Sequence, residues 1–441
     1  MRIRFWGTRG SIPTPGPRTL RYGGNTACVE LRTDDGHFFI LDCGTGLFEL
    51  GRDLAGESQP IVGTILLSHT HWDHTQGFAF FGPAYRKGNM FTVYAAPGVD
   101  RSLSDVLAQQ MDYLNFPISL EERGAAVEYE EVSEETFGVD NVRVRTQYLN
   151  HTVLTLGFRI MSGGASVVYV ADHEPFSPGL YRSGVTNPTL ADIVHAGDRK
   201  HVDFLRDADL VIHDAQFTEA EFEGRHNWGH STAEYVVDAC VAAGVKEVAL
   251  FHHDPNHDDA LVERIESDAQ ERARARGSNL RVVAAAEGMV INLPESTDGE
   301  PGDDTWHPST GRPAQARILV VDDEPGLVRV VGAVLAKDGY EILAARDGEE
   351  ALEVIRREHP DLILLDVMMP KVDGYGVLRE LRATPEFRDV PVIMLTAKMG
   401  EEDIVRSFEG GVTDYISKPA APSLLRSRVR RWLLSQESTR T

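Results

Sequence analysis

The sequence of 441 residues has few cysteines, no long apolar run and fewer basic than acidic residues, and each of these features excludes a class of protein. Its three cysteines, Cys28, Cys43 and Cys240, are too few for the disulfide framework of a secreted protein, which predicts a cytoplasmic location. No apolar run approaches the roughly 20 residues that cross a bilayer, and the start MRIRFWGTRG lacks the apolar core of a signal peptide. Basic residues number 44 against 68 acidic ones, a net charge of −24, which disfavours membranes and large nucleic acids as partners.

The remaining composition is that of a globular protein with more than one domain. Hydrophobic residues make up 42% of the chain and charged residues 25%, which excludes extensive disorder. The length predicts two or three domains. Residues 294–316 are rich in Pro, Gly, Asp, Ser and Thr, so we expect an acidic linker there. The predicted domains are residues 1–293 and 317–436.

The first domain begins with short runs typical of β-strands. RIRFW, ACVELRT and HFFILD are separated by the turn sequences GGN and DDG, which predicts hairpins. Later strand-like runs, including IVGTILLS, MFTVYAA, SVVYVA, DLVIHD and EVALF, alternate in places with helical stretches at 100–113, 231–243 and 259–275. This pattern predicts an α/β domain with two sheets flanked by helices.

The second domain alternates strand and helix throughout. The strand-like runs RILVVDD, YEILAA, DLILLD, PVIMLT and DYIS are each followed by a helical stretch. Five such βα units predict a doubly wound parallel sheet.

A dense group of metal-binding side chains follows the strand-like run that ends at Leu67. Four candidate ligands fall within six residues there, in a loop where packing does not explain them. Imidazole together with carboxylate suits zinc, manganese or iron. The four candidates are His69, His71, Asp73 and His74.

Further candidate ligands follow other strand-like runs. His151 comes after VRVRTQYL, Asp172 after VVYVA, and His252 and His253 after EVALF. If these strand ends meet at one sheet edge, they supply more ligands than one tetrahedral ion uses. We therefore predict two metal ions, with one carboxylate bridging them.

The order and spacing of these ligands resemble those of the metallo-β-lactamase superfamily of dinuclear hydrolases over residues 1–293. The resemblance implies an αββα sandwich that binds two divalent metals, zinc or manganese. It implies that the first ion is bound by His69, His71 and His151. The second ion is then bound by Asp73, His74 and His252, and Asp172 bridges the two ions. His253 stays open as an alternative to His252.

Two further segments resemble the branch of this superfamily that includes ribonuclease Z and cyclic phosphodiesterases. Gly229-His230-Ser231-Thr232 is similar to the segment that carries a proton-donating histidine there, which implies that His230 is the general acid. His213-Asp214-Ala215 is similar to the segment whose acid orients that histidine, which implies this role for Asp214. The resemblance also implies that Asp73 assists the nucleophile. Alternatively, Gly229–Thr232 is a loop in which Ser231 or Thr232 caps the next helix.

The substrate implied by this branch is a phosphodiester, and the sequence favours a small one. A long Gly/Pro-rich arm of the kind that ribonuclease Z uses to grip tRNA is absent, and the domain is acidic. A small or cyclic phosphodiester therefore fits better than a large RNA. Arg9 and Asn25 lie in Gly-rich loops, where they either touch the substrate or form turns that set the first hairpin.

Acidic and switch-like residues follow the strands of the second domain. Asp322 and Asp323 end its first strand, Asp366 its third, Thr396 its fourth, and Lys418 follows its fifth. The carboxyl ends of parallel strands share one sheet edge. Three carboxylates there would repel one another unless a hard cation such as Mg²⁺ lies between them.

With Met368-Met369-Pro370 and Asp373-Gly374, these residues resemble the receiver domain of two-component response regulators, a flavodoxin-like (βα)5 fold. The resemblance implies that Asp366 accepts a phosphoryl group from a sensor histidine kinase. It also implies that Asp322, Asp323 and Asp366 bind Mg²⁺. The switch residues that it implies are Thr396, Tyr415 and Lys418.

Together these features predict a dinuclear metal hydrolase, a phosphodiesterase, regulated by phosphorylation of its receiver domain in a two-component phosphorelay. Two alternatives stay open. One is a signalling adaptor whose receiver docks partners and whose metal domain is sensory, and the other is a hydrolase of thioesters or lactones. The prediction also allows a homodimer.

Overall fold

The computed structural model describes residues 1–98, 102–112, 114, 116–118, 124–177, 179–181, 189–294, 316–396, 411–418 and 422–440. The chain divides into two compact units. The first unit comprises Met1–Glu174 and His201–Trp306, and the second comprises Pro175–Lys200 and His307–Thr441. The linker predicted over 294–316 lies outside the described residues except at its two ends.

Fourteen strands in the described part of the chain before residue 295 form two sheets of seven strands each. The strands are β1 (Arg2–Gly7), β2 (Cys28–Arg32), β3 (Phe38–Leu41), β4 (Val62–Leu67), β5 (Met90–Ala95), β6 (Ala126–Glu131), β7 (Thr136–Val139), β8 (Val142–Tyr148), β9 (Leu156–Ser162), β10 (Ala165–Val170), β11 (Leu210–Asp214), β12 (Glu247–Phe251), β13 (Arg281–Ala284) and β14 (Val290–Asn292). The helices are α1 (Gly46–Asp53), α2 (Trp72–Thr75), α3 (Leu103–Gln110), α4 (Ala196–Leu205), α5 (Glu219–Phe222), α6 (Ala233–Ala242) and α7 (Asp259–Ala275).

The two sheets pack face to face. The first has the order β14-β1-β2-β3-β4-β5-β6 and the second β13-β12-β11-β10-β9-β8-β7. The ring of Phe5 on β1 lies 6.2 Å from that of Phe251 on β12, centroid to centroid, across the space between the sheets. The predicted hairpins are confirmed, because β1 pairs antiparallel with β2 and β2 with β3. The predicted two-sheet α/β architecture is confirmed as well.

Position in the sheet accounts for some of the strands that the sequence revealed or missed. β10, β11 and β12 lie inside the second sheet, are buried along their whole length and are mostly apolar, as parallel strands covered on both faces usually are. The strands β6, β7 and β14, which the sequence did not reveal, are sheet edges, whereas β9, which it also did not reveal, lies inside the second sheet. β6, with the sequence AVEYEE, is exposed at most positions and therefore lacks the apolar pattern of a central strand.

The second unit contains a five-stranded sheet in which all neighbouring strands are parallel. Its order is β16-β15-β17-β18-β19, which confirms the predicted doubly wound fold. The predicted helix between β18 and β19 lies outside the described residues. The elements are β15 (Arg317–Val321), α8 (Pro325–Ala336), β16 (Glu341–Ala345), α9 (Gly348–Glu358), β17 (Leu362–Asp366), α10 (Gly374–Ala383), β18 (Val392–Thr396), β19 (Asp414–Ser417) and α11 (Pro422–Arg440).

The segment Pro175–Lys200 belongs to the second unit by its contacts, although it lies within the predicted range 1–293. Phe176 stacks on His195, with ring centroids 5.1 Å apart, and lies 5.9 Å from the ring of Trp432 on α11. The Nε2 atom of His195 is 3.2 Å from the carbonyl oxygen of Val412, just before β19. Non-local packing of this kind leaves no periodic signal in the sequence.

All three cysteines are buried, as small apolar side chains usually are. Within the described ranges, no helix has both the length and the apolar character that a membrane span requires.

Candidate metal centre

Strand β4 leads into the segment that carries the first four candidate ligands. After Leu67 the chain passes through Ser68–Thr70 without regular secondary structure, reaches His71 in an extended conformation and enters the short helix α2. The side chains of Asp73 and His74 on this helix are buried, whereas Trp72 between His71 and Asp73 is 77% exposed. One turn of helix thus places two ligands inward and an aromatic ring outward.

All seven predicted metal ligands lie together in the structure. The candidate ligand atoms form one group from His69, His71, His151 and Asp172 and a second from Asp73, His74 and His252, with all atoms of a group within 4.8 Å of one another. The ligands arrive from loops after β4, β8, β10 and β12 and are up to about 180 residues apart in sequence. The two groups adjoin at Asp172.

The carboxylate of Asp172 faces both groups. Its Oδ2 atom lies 3.6 Å from Nε2 of His69 and 3.6 Å from Nε2 of His151. Its Oδ1 atom lies 3.3 Å from Nε2 of His74 and 3.3 Å from Nε2 of His252. One oxygen is therefore directed to each group, as a bridging carboxylate requires.

Hydrogen bonds at the outer ring nitrogens orient four of the histidines. Each Nδ1 atom has a partner outside the cluster, so each Nε2 atom is left to face Asp172. The pairs are His69 with Ser68 Oγ at 3.0 Å, His74 with Asp42 Oδ2 at 2.7 Å, His151 with the Gly229 carbonyl at 2.8 Å, and His252 with Gln216 Oε1 at 2.9 Å.

The cluster has the properties of a site for divalent cations. Nε2 of His69 and Oδ1 of Asp172 are buried and have no hydrogen-bond partner in the described part of the chain. Burial lowers the pKa of His69 and of His151 well below the usual value, so both imidazoles are neutral, as ligands must be. Buried neutral imidazoles beside ionised carboxylates suit zinc or manganese.

The structure brings His252, rather than His253, to the cluster. His252 has a φ of +60° directly after β12, and its Nε2 atom lies 3.1 Å from Oδ2 of Asp73. The ring of His253 turns away, and its Nε2 atom donates to the carbonyl of Ala285 at 2.9 Å.

Asp42 is a site residue that sequence reasoning missed. It directly follows β3 with a φ of +60°, is fully buried, and accepts hydrogen bonds from the Ser68 hydroxyl and the Tyr169 hydroxyl, both at 2.7 Å, in addition to His74. In the sequence, Asp42 appears only as the acidic residue at the end of the run HFFILD. That position alone does not distinguish a residue of the metal centre from an ordinary turn residue.

His230 lies beside the cluster and is paired with Asp214. Its Nδ1 atom is 3.1 Å from Oδ2 of Asp214 and 3.9 Å from Oδ2 of Asp172. Burial lowers the pKa of His230, but Asp214 and Asp172 outweigh burial and raise it to about 9. The contact with Asp214 therefore favours the protonated form of His230. The capping alternative also holds in part, because the Thr232 side chain caps α6.

Gly229 fits between His230 and the cluster because it has no side chain. Its φ is +89°, and a Cβ atom there would lie 2.1 Å from Nδ1 of His151. Its amide donates to the carboxylate of Glu174 at 2.7 Å, which fixes the loop. Glycine meets both the conformational and the steric demand.

Arg9 and Asn25 form internal contacts. The guanidinium of Arg9 is fully buried and donates to the carbonyl oxygens of Gly23 at 2.8 Å and His257 at 2.7 Å. The Asn25 side chain donates to Glu287 at 3.1 Å. These contacts favour the turn interpretation of the Gly-rich loops over substrate contact.

The second unit has an acidic cluster at the carboxyl edge of its sheet. Candidate ligand atoms of Asp322, Asp323 and Asp366 lie within 4.8 Å of one another. The Nζ atom of Lys418 donates to Asp322 at 2.6 Å and to Asp366 at 2.7 Å. Burial raises the pKa of Asp366, and Lys418 opposes this rise.

Thr396 and Tyr415, two of the three predicted switch residues, lie on the neighbouring strands β18 and β19, and the third, Lys418, contacts the cluster directly. Thr396 is buried at the end of β18, and Tyr415 is half-buried on β19. The backbone amide of Lys418 donates to the carbonyl of Thr396 at 2.6 Å, which ties the ends of these strands together. The roles predicted for these residues remain predictions.

Two family models match the chain, one in each part. Residues 37–193 match the Beta-lactamase superfamily domain, and residues 318–430 match the Response regulator receiver domain. The first match includes the segment of His69–His74, His151 and Asp172 but ends before His230 and His252. The second includes the acidic cluster and the three predicted switch residues.

Known proteins resemble each part separately. The probable transcriptional regulator ycf27 of Porphyridium aerugineum is 49% identical over 114 residues, which cover 26% of this chain and 46% of that protein. The chain thus spans about half the length of the curated relatives it matches.

Two solved structures resemble the other part. The metallo-beta-lactamase fold protein YhfI from Bacillus subtilis is 16% identical with a TM-score of 0.46, covering 66% of this chain and 98% of its own. Human tRNase Z, short form, is 20% identical with a TM-score of 0.43, covering 67% and 100%. From the family matches and the sheet topologies together, the chain joins a domain of the beta-lactamase superfamily to a response regulator receiver domain.

Proposed function

We propose that the chain is a dinuclear metal phosphodiesterase that acts on a small or cyclic phosphodiester. The observation that carries this proposal is the position of Asp172, whose two carboxylate oxygens face two separate groups of ligands. His69, His71 and His151 would hold one cation, and Asp73, His74 and His252 the other, with Asp172 shared between them.

The proposed chemistry assigns different tasks to the cations and to the chain. Two bound divalent cations would polarise the phosphoryl group and lower the pKa of water. His230, paired with Asp214, would donate its proton to the departing alkoxide. Asp214 positions the His230 ring, and Asp73 can accept a hydrogen bond from the attacking water. This pairing of a buried acid with a protonated histidine favours cleavage of a bond with a poor leaving group.

We also propose that phosphorylation of the receiver regulates the hydrolase. Asp366 would accept a phosphoryl group from a sensor histidine kinase, with Mg²⁺ held by Asp322, Asp323 and Asp366. Phosphorylation would add a charge of about −2 beside Lys418. Thr396 and Tyr415 would respond through the strands that carry them.

The segment Pro175–Lys200 supports this regulation. The chain passes directly from Asp172 and Glu174 into the segment, whose Phe176 and His195 contact the region around β19 and α11. Glu174 in turn accepts hydrogen bonds from the amides of Gly229 and Asn227, at 2.7 and 2.8 Å, next to His230. A displacement of β19 would therefore be transmitted along the chain toward the proposed proton donor.

The test is hydrolysis by the purified full chain supplied with Mn²⁺ or Zn²⁺. We expect turnover of bis-p-nitrophenyl phosphate and of a cyclic nucleotide, and loss of both in Asp73→Ala. Circular dichroism of the variant separates loss of activity from loss of fold. Turnover of a thioester or lactone, with none of any phosphodiester, would contradict the proposed substrate class.

A further inference from the structure

The loop after β1 places a backbone amide at the metal centre. The amide of Ser11 donates to Oδ2 of Asp73 at 2.6 Å. The same oxygen lies 3.1 Å from Nε2 of His252 and 3.4 Å from Nε2 of His74, the other two candidate ligands of its group. The amide therefore contacts the carboxylate oxygen that faces the second group of ligands.

Ser11 holds this position in a strained backbone conformation. Its φ is +63°, and the amide of Ile12 donates to the carbonyl of Gly10 at 2.7 Å, so the three residues form a γ-turn with the rare sign of φ. Residues other than glycine seldom have a positive φ, and such strain persists only where the surroundings enforce it. The side chain of Ser11 is exposed, so its own packing does not enforce the turn.

The two residues before Ser11 enforce the turn. The amide of Gly10 donates to the carbonyl of His253 at 3.0 Å, and a Cβ atom on Gly10 would lie 2.3 Å from Nδ1 of His252. Gly10 therefore packs directly on a candidate ligand. The guanidinium of Arg9 is fully buried and donates to carbonyl oxygens of two other segments, which fixes the loop to the body of the domain.

A backbone donor has a specific effect on a ligand carboxylate. A hydrogen bond from an amide to an ionised carboxylate is charge-assisted, and hydrogen bonds of this kind orient the carboxylates that bind metal ions. Because the amide of Ser11 belongs to a turn that is itself anchored, it cannot rotate away as a side-chain donor could. It thus restricts the carboxylate of Asp73 to one orientation.

We propose that Ser11 is a positioning residue of the metal centre, whose strained backbone amide fixes the carboxylate of Asp73 for the second cation. The inference rests on the proposed function, because it takes Asp73 to bind that cation. It assigns the role to the backbone of Ser11 and none to the hydroxyl group. The conformation that a residue at position 11 can adopt, rather than its side-chain chemistry, should then decide how well the cation binds.

Substitutions at position 11 test the backbone. A β-branched residue is strongly disfavoured at positive φ, so Ser11→Val should turn the amide away from Asp73. We expect a 10- to 100-fold lower affinity for one of the two cations and no change for the other. Ser11→Gly, the conservative change for this backbone, should retain the binding of both. Titration of the metal-free full chain with Co²⁺, followed by visible absorption, measures the two affinities.

Asp140→Val is the matched control. Asp140 also has a positive φ, +53°, and is exposed, but it lies in the turn between β7 and β8, at the other end of β8 from His151. The same change of backbone preference there should leave both cation affinities as they are in the wild type. Equal affinities in the wild type and Ser11→Val, or equal losses in Ser11→Val and Ser11→Gly, would overturn the inference.

Hydrogen exchange in the metal-free wild-type chain gives a second test that needs no variant. At single-amide resolution, the amide of Ser11 should exchange at least about tenfold more slowly than an unprotected amide in the same sequence, although the side chain is exposed. Exchange at the unprotected rate would overturn the inference even if Ser11→Val does not fold.

The two proposals fail in different ways. A selective loss of one cation in Ser11→Val, in a chain that cleaves no phosphodiester, would contradict the proposed function and support the role of Ser11. Cleavage of bis-p-nitrophenyl phosphate by a chain whose two cation affinities do not respond to Ser11→Val would contradict the role of Ser11 alone.

Discussion

Oδ2 of Asp42 lies 2.7 Å from Nδ1 of His74, and the same oxygen accepts hydrogen bonds from the hydroxyls of Ser68 and Tyr169. Because Ser68 Oγ is also 3.0 Å from Nδ1 of His69, one buried carboxylate orients two candidate ligands, one from each group. Asp42 thus connects the end of β3 to both halves of the cluster.

Replacing Asp42 should weaken metal binding without removing a ligand. In Asp42→Asn the neutral amide holds the imidazole of His74 less strongly, and we expect a 10- to 100-fold loss of affinity for the more weakly bound cation. Competition with a chromogenic chelator measures this metal affinity. Tyr169→Phe removes one donor to Asp42 but keeps the contact to His74, and should have a smaller effect. Equal affinities in wild type and Asp42→Asn would show that this carboxylate does not support the site.

Gly229→Ala should displace His151. A methyl group at this position meets Nδ1 of His151 at 2.1 Å, so the ring has to move and bound metal should be lost. Gly224→Ala is a matched control, because Gly224 also has a positive φ, +81°, but nothing lies within 4 Å of its added Cβ atom. Both variants carry a backbone cost of about 1 kcal/mol, and only Gly229→Ala should reduce the metal content measured by mass spectrometry.

The contribution of His230 should depend on the leaving group. With a cyclic nucleotide, whose alkoxide needs a proton, His230→Gln should lower kcat by about 10²- to 10⁴-fold. With bis-p-nitrophenyl phosphate the loss should be less than about tenfold, since p-nitrophenolate departs without protonation. Steady-state kinetics on the two substrates, with metal content as the control, measure the difference. Equal losses on both would assign His230 to binding or structure.

The second unit should lose stability in mild acid because of His195. Burial lowers the pKa of this side chain to about 4, against 6.5 for an exposed histidine. The unfolded chain therefore binds the proton first, so the contribution is complete above pH 6.5 and is lost as the pH falls toward 4. The full effect is about 3 kcal/mol of unfolding free energy.

Urea unfolding between pH 7 and pH 4 measures this loss, with His195→Gln as the comparison. The variant should show a flatter dependence on pH than the wild type does. Parallel curves for the two proteins would mean that other groups cause the acid sensitivity.

Acetyl phosphate should change the turnover of the wild-type chain and leave that of Asp366→Ala unchanged. The reason is that Asp366 is the only acid of the cluster that the receiver resemblance identifies as the phosphoacceptor. Activity with acetyl phosphate is compared with activity in the same concentration of acetate. Identical turnover of wild type and Asp366→Ala, each with acetyl phosphate or with acetate, would show that phosphorylation of the receiver does not regulate the hydrolase.

The sequence predicted most of the candidate site because the chemistry is concentrated locally. Four ligands within His69–His74 stand out in any chain, and the strand ends before His151, Asp172 and His252 could be recognised from their apolar runs. The choice between His252 and His253 needed the structure, since the two neighbours differ only in the direction of their rings.

Other features could not be predicted because they depend on contacts between distant residues. Asp42 meets His74 only after β3 and β4 pair side by side. The edge strands β6, β7 and β14 carry little apolar pattern, and the grouping of Pro175–Lys200 with the second unit arises from packing against residues more than 200 positions away.

The ligands come from both halves of the sandwich: the segment after β4 belongs to one sheet, and the loops after β8, β10 and β12 belong to the other. Cations held there would act as crosslinks between the sheets, in the manner of a disulfide in a chain that has few cysteines. Chelators would then lower the stability of the whole sandwich as well as stop catalysis. The melting temperature would rise with the concentration of free metal. The stability of this protein would therefore depend on how much free metal its surroundings contain.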